Sequence, residues 1–240
     1  MANVLSRLPR LTRTSVGLCL VALLSSGTVI ADTPRMLKDP RPFEAQYRLE
    51  VRGWPSATIT HRLSDEGSHW LSDMNFSVRV ARGQELSRFS ISDDTTHALL
   101  YSSSYSVLGV GDRYQLSEAE IPSLDRQTAL FDLSRRAGHE ACTESTPCEI
   151  EFVDHKGEDE HFQYYVDKQH ITDPGSIGMV GDEFEALNVS LFDVEKPDRL
   201  LQLRFHPDWP GLILSVAYQK EGRSETRLTL TNFNPKGGPD

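Results

Sequence analysis

The sequence predicts an antiparallel all-β fold, a sandwich or an open, half-closed β-barrel of about a dozen short strands. Three observations predict it. Apolar and polar residues alternate with period two in segment after segment, turn-forming residues recur roughly every 8 to 12 positions, and helical periodicity is scarce beyond the first thirty residues.

The alternation begins cleanly at Phe43, where Phe43, Ala45, Tyr47, Leu49 and Val51 interleave with Glu44, Gln46, Arg48, Glu50 and Arg52. Period two separates a buried face from a wet one, so the first set is expected to point inward. Gly53-Trp54-Pro55 breaks the strand; Ala57, Ile59, His61 and Leu63 restart it, and Asp65-Glu66-Gly67 turns it. Trp70, Met74, Phe76, Val78 and Val80 form the next apolar face, with a stop expected at Arg82-Gly83 and a resumption at Phe89 and Ile91 before Asp93-Asp94. Further strands are expected at 98–107, 112–116, 128–133, 149–155, 161–166, 186–194, 200–205, 212–219 and 225–233. Lys156-Gly157-Glu158-Asp159-Glu160 and Glu221-Gly222-Arg223 read as hairpin turns. Residues 169–182, with Pro174 and three glycines, read as a long connection with a helical turn.

Residues 1–31 have the build of a secretory signal peptide: basic Arg7, Arg10 and Arg13, an apolar run over 16–24, then Ser25-Ser26-Gly27-Thr28. Val29 and Ala31 place the cut before Asp32. The run is far shorter than the roughly 20 residues that span a bilayer core, and Cys19 lies inside it behind Leu18, which does not suit a lipidation site. The expected organisation is a signal peptide (1–31), a proline-rich leader (32–42), one β domain (43–233) and a flexible tail (234–240). The mature chain is expected in the periplasm, unlipidated and with no transmembrane segment.

Without Arg7, Arg10 and Arg13, 22 of the 25 basic residues remain against 35 acidic ones, a net charge of −13. A chain this acidic repels phosphate backbones and anionic lipid surfaces, which disfavours nucleic acid as a partner. Cys142 and Cys148 are then the remaining cysteines, separated by five turn-forming residues in an exported chain, and a structural disulfide is expected. Zinc would need four ligands where only His139 and His155 are near, and neither a metal nor a cofactor is expected.

Arg204-Phe205-His206-Pro207-Asp208-Trp209-Pro210-Gly211-Leu212-Ile213-Leu214-Ser215-Val216, followed by a charged turn and the strand Thr226 to Leu230, resembles exported bacterial proteins of the domain of unknown function 3108 family. The alternating strand from Phe43 and a short strand around Phe131-Asp132 are also similar. The pattern departs at Arg204, where an aromatic is usual, and at Ser215, where a second proline is usual. The resemblance implies an envelope-resident antiparallel β fold, similar to the open barrels that carry lipoproteins or serve capsule export, and it brings no catalytic residues.

There is no Gly-x-Ser-x-Gly elbow, phosphate-binding glycine loop or His-Glu-x-x-His pair. Ser102-Ser103-Ser104 lies within an alternating strand, and Asp154, His155, His161, Asp93-Asp94 and Asp182-Glu183 read as turn residues. The aromatic strand residues Tyr47, Trp70, Phe76, Phe89, Tyr101 and Tyr105 are candidates to line a ligand cavity, with core filling as the alternative. The function expected is a non-enzymatic carrier or binder of an apolar or amphipathic envelope component, lipid-like or glycan. The alternatives are a scaffolding partner for an envelope protein and a glycan-processing enzyme with two carboxylates in a groove.

Overall fold

A computed structural model describes residues 37–172 and 183–236, all within one unit, Arg35–Asp240. The signal-peptide residues 1–31, residues 32–36 of the leader, residues 173–182 and 237–240 lie outside the described residues. No described helix is long and apolar enough to cross a membrane.

Twelve strands form one antiparallel sheet: β1 (Phe43–Val51), β2 (Ala57–Asp65), β3 (Trp70–Val78), β4 (Ala81–Ser92), β5 (Thr95–Val107), β6 (Val110–Ser117), β7 (Cys148–Val153), β8 (Asp159–Thr172), β9 (Glu183–Phe192), β10 (Arg199–Phe205), β11 (Ile213–Lys220) and β12 (Arg223–Pro235). Their order is β6-β5-β4-β3-β2-β1-β12-β11-β10-β9-β8-β7. Two meanders thus run outward from a seam where β1 pairs with β12. The sheet is open, with β6 and β7 as its edges, and it curls around the helix α1 (Arg126–Arg136) that carries the chain from one edge to the other.

The curl explains the burial. The alternation expected for β1 holds, with Phe43, Ala45 and Tyr47 fully buried and Arg48 and Glu50 exposed. Opposite them, Leu63, Phe89, Leu203, Phe205, Ile213, Leu230 and Phe233 join the same core. The helix lies in the concavity, so nearly its whole circumference is covered, Gln127, Thr128, Asp132, Ser134 and Arg135 included.

Polar groups buried in this way need partners, and the sheet supplies them. Asp125 caps α1 by accepting from the backbone N–H of Gln127 and Thr128, and its carboxylate also accepts from the hydroxyls of Ser87 and Thr128, both at 2.6 Å. Asp132 accepts from Thr96 at 2.7 Å and pairs with Arg136, while Arg135 donates to the carbonyls of Lys38 and Asp94. Phe131 packs on Phe89, ring centroids 4.5 Å apart.

Four expectations are corrected. Residues 128–133, read as a strand, belong to α1; Ala129, Phe131 and Leu133 match period two over only three positions, and the Asp125 cap decides for the helix. Arg82-Gly83 does not end a strand but lies inside β4, because Val78 pairs with Ala81 and the turn falls at Arg79-Val80. Residues 169–172, assigned to a connection, continue β8. Asn234 and Pro235, assigned to the tail, pair with Glu44 and Phe43.

The 204–216 motif serves as the dock for the helix. Its Gly211, at φ +84°, donates its N–H to Ser134 Oγ at 2.7 Å, and a Cβ there would sit 3.1 Å from the Phe131 ring. Trp209 is covered by the Arg41 guanidinium at 3.8 Å, and Asp208 pairs with Lys38.

Candidate functional site

The helix fills only part of the concavity. Beyond its N-terminus the inner face stays apolar but open, around a cavity of about 250 Å³. Its wall comes from four successive strands, with Ile59 on β2, Met74 and Phe76 on β3, Glu85 on β4, and Ser103 and Tyr105 on β5; Arg126 enters from the first turn of α1 and His155 from the β7–β8 turn. Cross-strand register places these strand residues on one face: Ile59 faces Phe76, Met74 faces Glu85, Phe76 faces Gly83, and Gly83 faces Tyr105. A Cβ on Gly83 would lie 2.4 Å from Phe76, so the glycine lets the ring lie flat on the sheet. A second, more polar hollow of about 720 Å³ adjoins it toward the hairpin tips, sharing Phe76, Gly83 and Tyr105.

The charges at the helix end are mutually satisfied. Arg126 grips Glu85 with both Nε and Nη2, the latter at 2.8 Å, and Tyr101 donates its hydroxyl to the same carboxylate. Burial, reinforced by the Glu85 charge, pushes the Tyr101 phenol up, so it remains a donor. Lower down, His61 is fully buried with Nε2 3.0 Å from Ser72 Oγ; burial pushes its pKa down to about 3, and the imidazole is neutral at physiological pH. Among the described residues, the group that brings three potential metal-ligating side chains together is Glu140, Cys142 and Cys148. Its two cysteines are joined in a disulfide with Cα atoms 5.3 Å apart.

Of the six aromatic residues singled out in the sequence, Phe76 and Tyr105 border the cavity. Tyr47, Phe89 and Tyr101 are fully buried in the packed interior, and Trp70 is half-buried against it. The remaining wall residues were missed: Ile59 and Met74 read as ordinary core positions, and Arg126 fell beside a segment taken for a strand. Gly83, expected to end a strand, carried the signal that could have pointed to them, since a glycine within a strand marks close approach.

Among solved structures, the chain is similar to a β-barrel-like protein of domain of unknown function DUF1849 from Brucella abortus, with a TM-score of 0.52 and 9% sequence identity over 84% of this chain and 100% of that one. At that identity the likeness concerns the fold alone. It also aligns with a chain of the Pseudomonas aeruginosa MucA/MucB complex, at a TM-score of 0.37 and 12% identity over 83% of this chain and 53% of that one. That score is too low to establish a common fold. No protein-family model matches the chain, and no curated protein does.

Proposed function

We propose that this is an exported, periplasmic, non-enzymatic protein that binds an apolar or amphipathic cell-envelope component on the open part of its concave face. The observation that carries the reading is the uncovered apolar wall around Ile59, Met74 and Phe76, set directly above a helix that seals the rest of the concavity. A chain that needed only a solid core would have covered these side chains, since each left half-exposed forgoes part of its burial energy. The export segment 1–31 and the Cys142–Cys148 bridge support an oxidising compartment. The resemblance of residues 204–216 to the domain of unknown function 3108 family agrees with an envelope setting. A non-enzymatic role is supported by Glu85: it is the carboxylate on the cavity wall, and Arg126 and Tyr101 occupy its oxygens.

Uptake of a fluorescent fatty acid from solution, with native mass spectrometry of protein purified from the periplasm, tests the reading. Ile59→Asp should lower uptake by about tenfold or more, because it sets a charge on an apolar wall. Absence of any co-purified ligand together with absence of uptake by the unaltered protein would refute it. A scaffolding role has one observation in its favour, the two edges of the open sheet, β6 and β7, of which β7 is bridged to the chain at Val153. A stoichiometric protein cross-link to β6 or β7 would favour it over the carrier.

A further inference from the structure

The large apolar side chains exposed among the described residues are gathered at one rim of the sheet. Trp54 stands on the β1–β2 tip and Val194 on the β9–β10 tip, while Val80, Val107, Leu108 and Val110 cluster where the β3–β4 and β5–β6 hairpins end side by side. The last four form one patch, because Leu108 donates its N–H to the Val80 carbonyl across the two tips at 2.8 Å. Leu108 and Val110 are each 79% exposed. The turns at the opposite rim, at Asp65–His69 and Asp93-Asp94, carry no exposed large apolar side chain.

Leu108 violates two local rules at once. Its φ of 53° places it in the left-handed region that suits Gly, Asn or Asp in a tight hairpin, and its side chain stands in solvent. Folding gains nothing from a leucine there, which points to a use outside the folded chain. Arg79, Arg82 and Arg113 surround the patch, none of them ion-paired among the described residues. Within the tip segments 79–84 and 104–113 they face one carboxylate, Asp112, which accepts from the Tyr105 hydroxyl at 2.8 Å. On a chain with a formal net charge of −10, this tip is a basic, apolar island.

We propose that the paired β3–β4 and β5–β6 tips dock the protein on an anionic lipid bilayer, with Leu108, Val110 and Val80 entering the interface and the three arginines meeting headgroup phosphates. The protein's overall negative charge does not prevent this. Charges more than about 8 Å from the surface are screened at physiological ionic strength, whereas the tip arginines touch it. Two narrow hairpin ends offer little area beside the roughly 800 Å² per partner of a stable protein interface, but an aliphatic tip of that size suits insertion among headgroups. Docking would bring Phe76 and Tyr105, which border both hollows, toward the bilayer. It would hold whether or not the cavity carries a ligand.

Co-sedimentation with vesicles of phosphatidylcholine, with and without phosphatidylglycerol, tests the proposal. The protein should bind the phosphatidylglycerol vesicles and release at high salt. Leu108→Asn with Val110→Ser, where Asn tolerates the left-handed turn, should lower the bound fraction about tenfold. Arg82→Ala with Arg113→Ala should abolish the preference for phosphatidylglycerol. Both double variants should keep the circular dichroism spectrum and the fatty-acid uptake from solution of the unaltered protein. A Leu108→Trp variant should shift its emission to the blue when vesicles are added. Docking is overturned by absence of binding to phosphatidylglycerol vesicles at low salt, by binding that neither double variant changes, or by a tip that cross-links stoichiometrically to a protein and ignores vesicles. Vesicle binding without fatty-acid uptake would sink the carrier reading and leave the docking one standing.

Discussion

The concave face divides into a packed region and an open one, and burial also falls along β1, outside the cavity wall. Along it Phe43, Ala45 and Tyr47 are fully buried, while Leu49 and Val51, in the same parity, are only half-buried. What separates the two regions is α1. Where the helix lies against the sheet, apolar residues reach full burial and polar ones find partners; beyond its N-terminus the alternation continues but no described residue covers it. Identical strand chemistry therefore gives a core at one end of the concavity and a cavity at the other, depending on a single eleven-residue element.

The sharpest test of that division removes the contact on which it turns. Phe131→Ala should cost about 3 to 5 kcal/mol, because the ring bridges Phe89 on β4 and Gly211 before β11 and its loss leaves a void that two sheet arms cannot both close. Urea unfolding measures it. A loss under 1 kcal/mol would mean that the helix does not hold the two arms together.

Cleaving the link that follows the helix should come next. Cys142→Ser with Cys148→Ser should lower stability by about 2 kcal/mol, since a short loop is freed in the unfolded chain. Alkylation of unfolded, unreduced protein should find no free thiol from this pair; two labelled thiols would contradict the bridge.

Leu49→Ala should cost only about 1 kcal/mol, well below a core truncation, because the side chain is already half-exposed. Fatty-acid uptake should change little, since Leu49 lies on β1, outside the cavity wall. A cost as large as that of Phe131→Ala would place Leu49 in the packed region and erase the contrast.

The smallest effect is on pH dependence. Burial raises the Asp125 carboxyl above its ordinary value despite the hydroxyl and backbone donors around it. The folded state thus holds that proton more tightly than the unfolded state. Stability from this group is fully present below the unfolded value of about 3.9 and is lost as pH rises through the raised folded one. Asp125→Asn keeps a capping side chain and should flatten this decline in unfolding measured from acid to neutral pH. An unchanged slope would show that Asp125 is ordinary.

Legibility in the sequence followed the range of the forces involved. β1, β2, β7, β10 and β11 stand within a residue or two of their expected bounds, since alternation and turn chemistry act within a few residues. Gly83 misled because a glycine next to Arg82 looks like a turn, whereas its role, giving room to Phe76, involves a partner on another strand. The aromatic list failed to distinguish Tyr47, Phe89 and Tyr101 from Phe76 and Tyr105 for the same reason: parity assigns a residue to a face, and all five share it.

By itself, then, the sequence determined the inward and outward sets of most strands, their antiparallel order of turns, and the pairing of Cys142 with Cys148, all consequences of near neighbours along the chain. The tertiary structure alone decided that residues 126–136 form a helix inside the sheet, that Ser87, Thr96 and Ser134 hold it there, and where it stops. Those outcomes depend on which strands curl over which, and a side chain's environment in a curled sheet is set by residues as far as 192 positions away, as between Glu44 and Lys236. Whether an apolar face becomes core or cavity is settled at that distance, because burial depends on what covers a residue, and period two specifies only the direction in which it points.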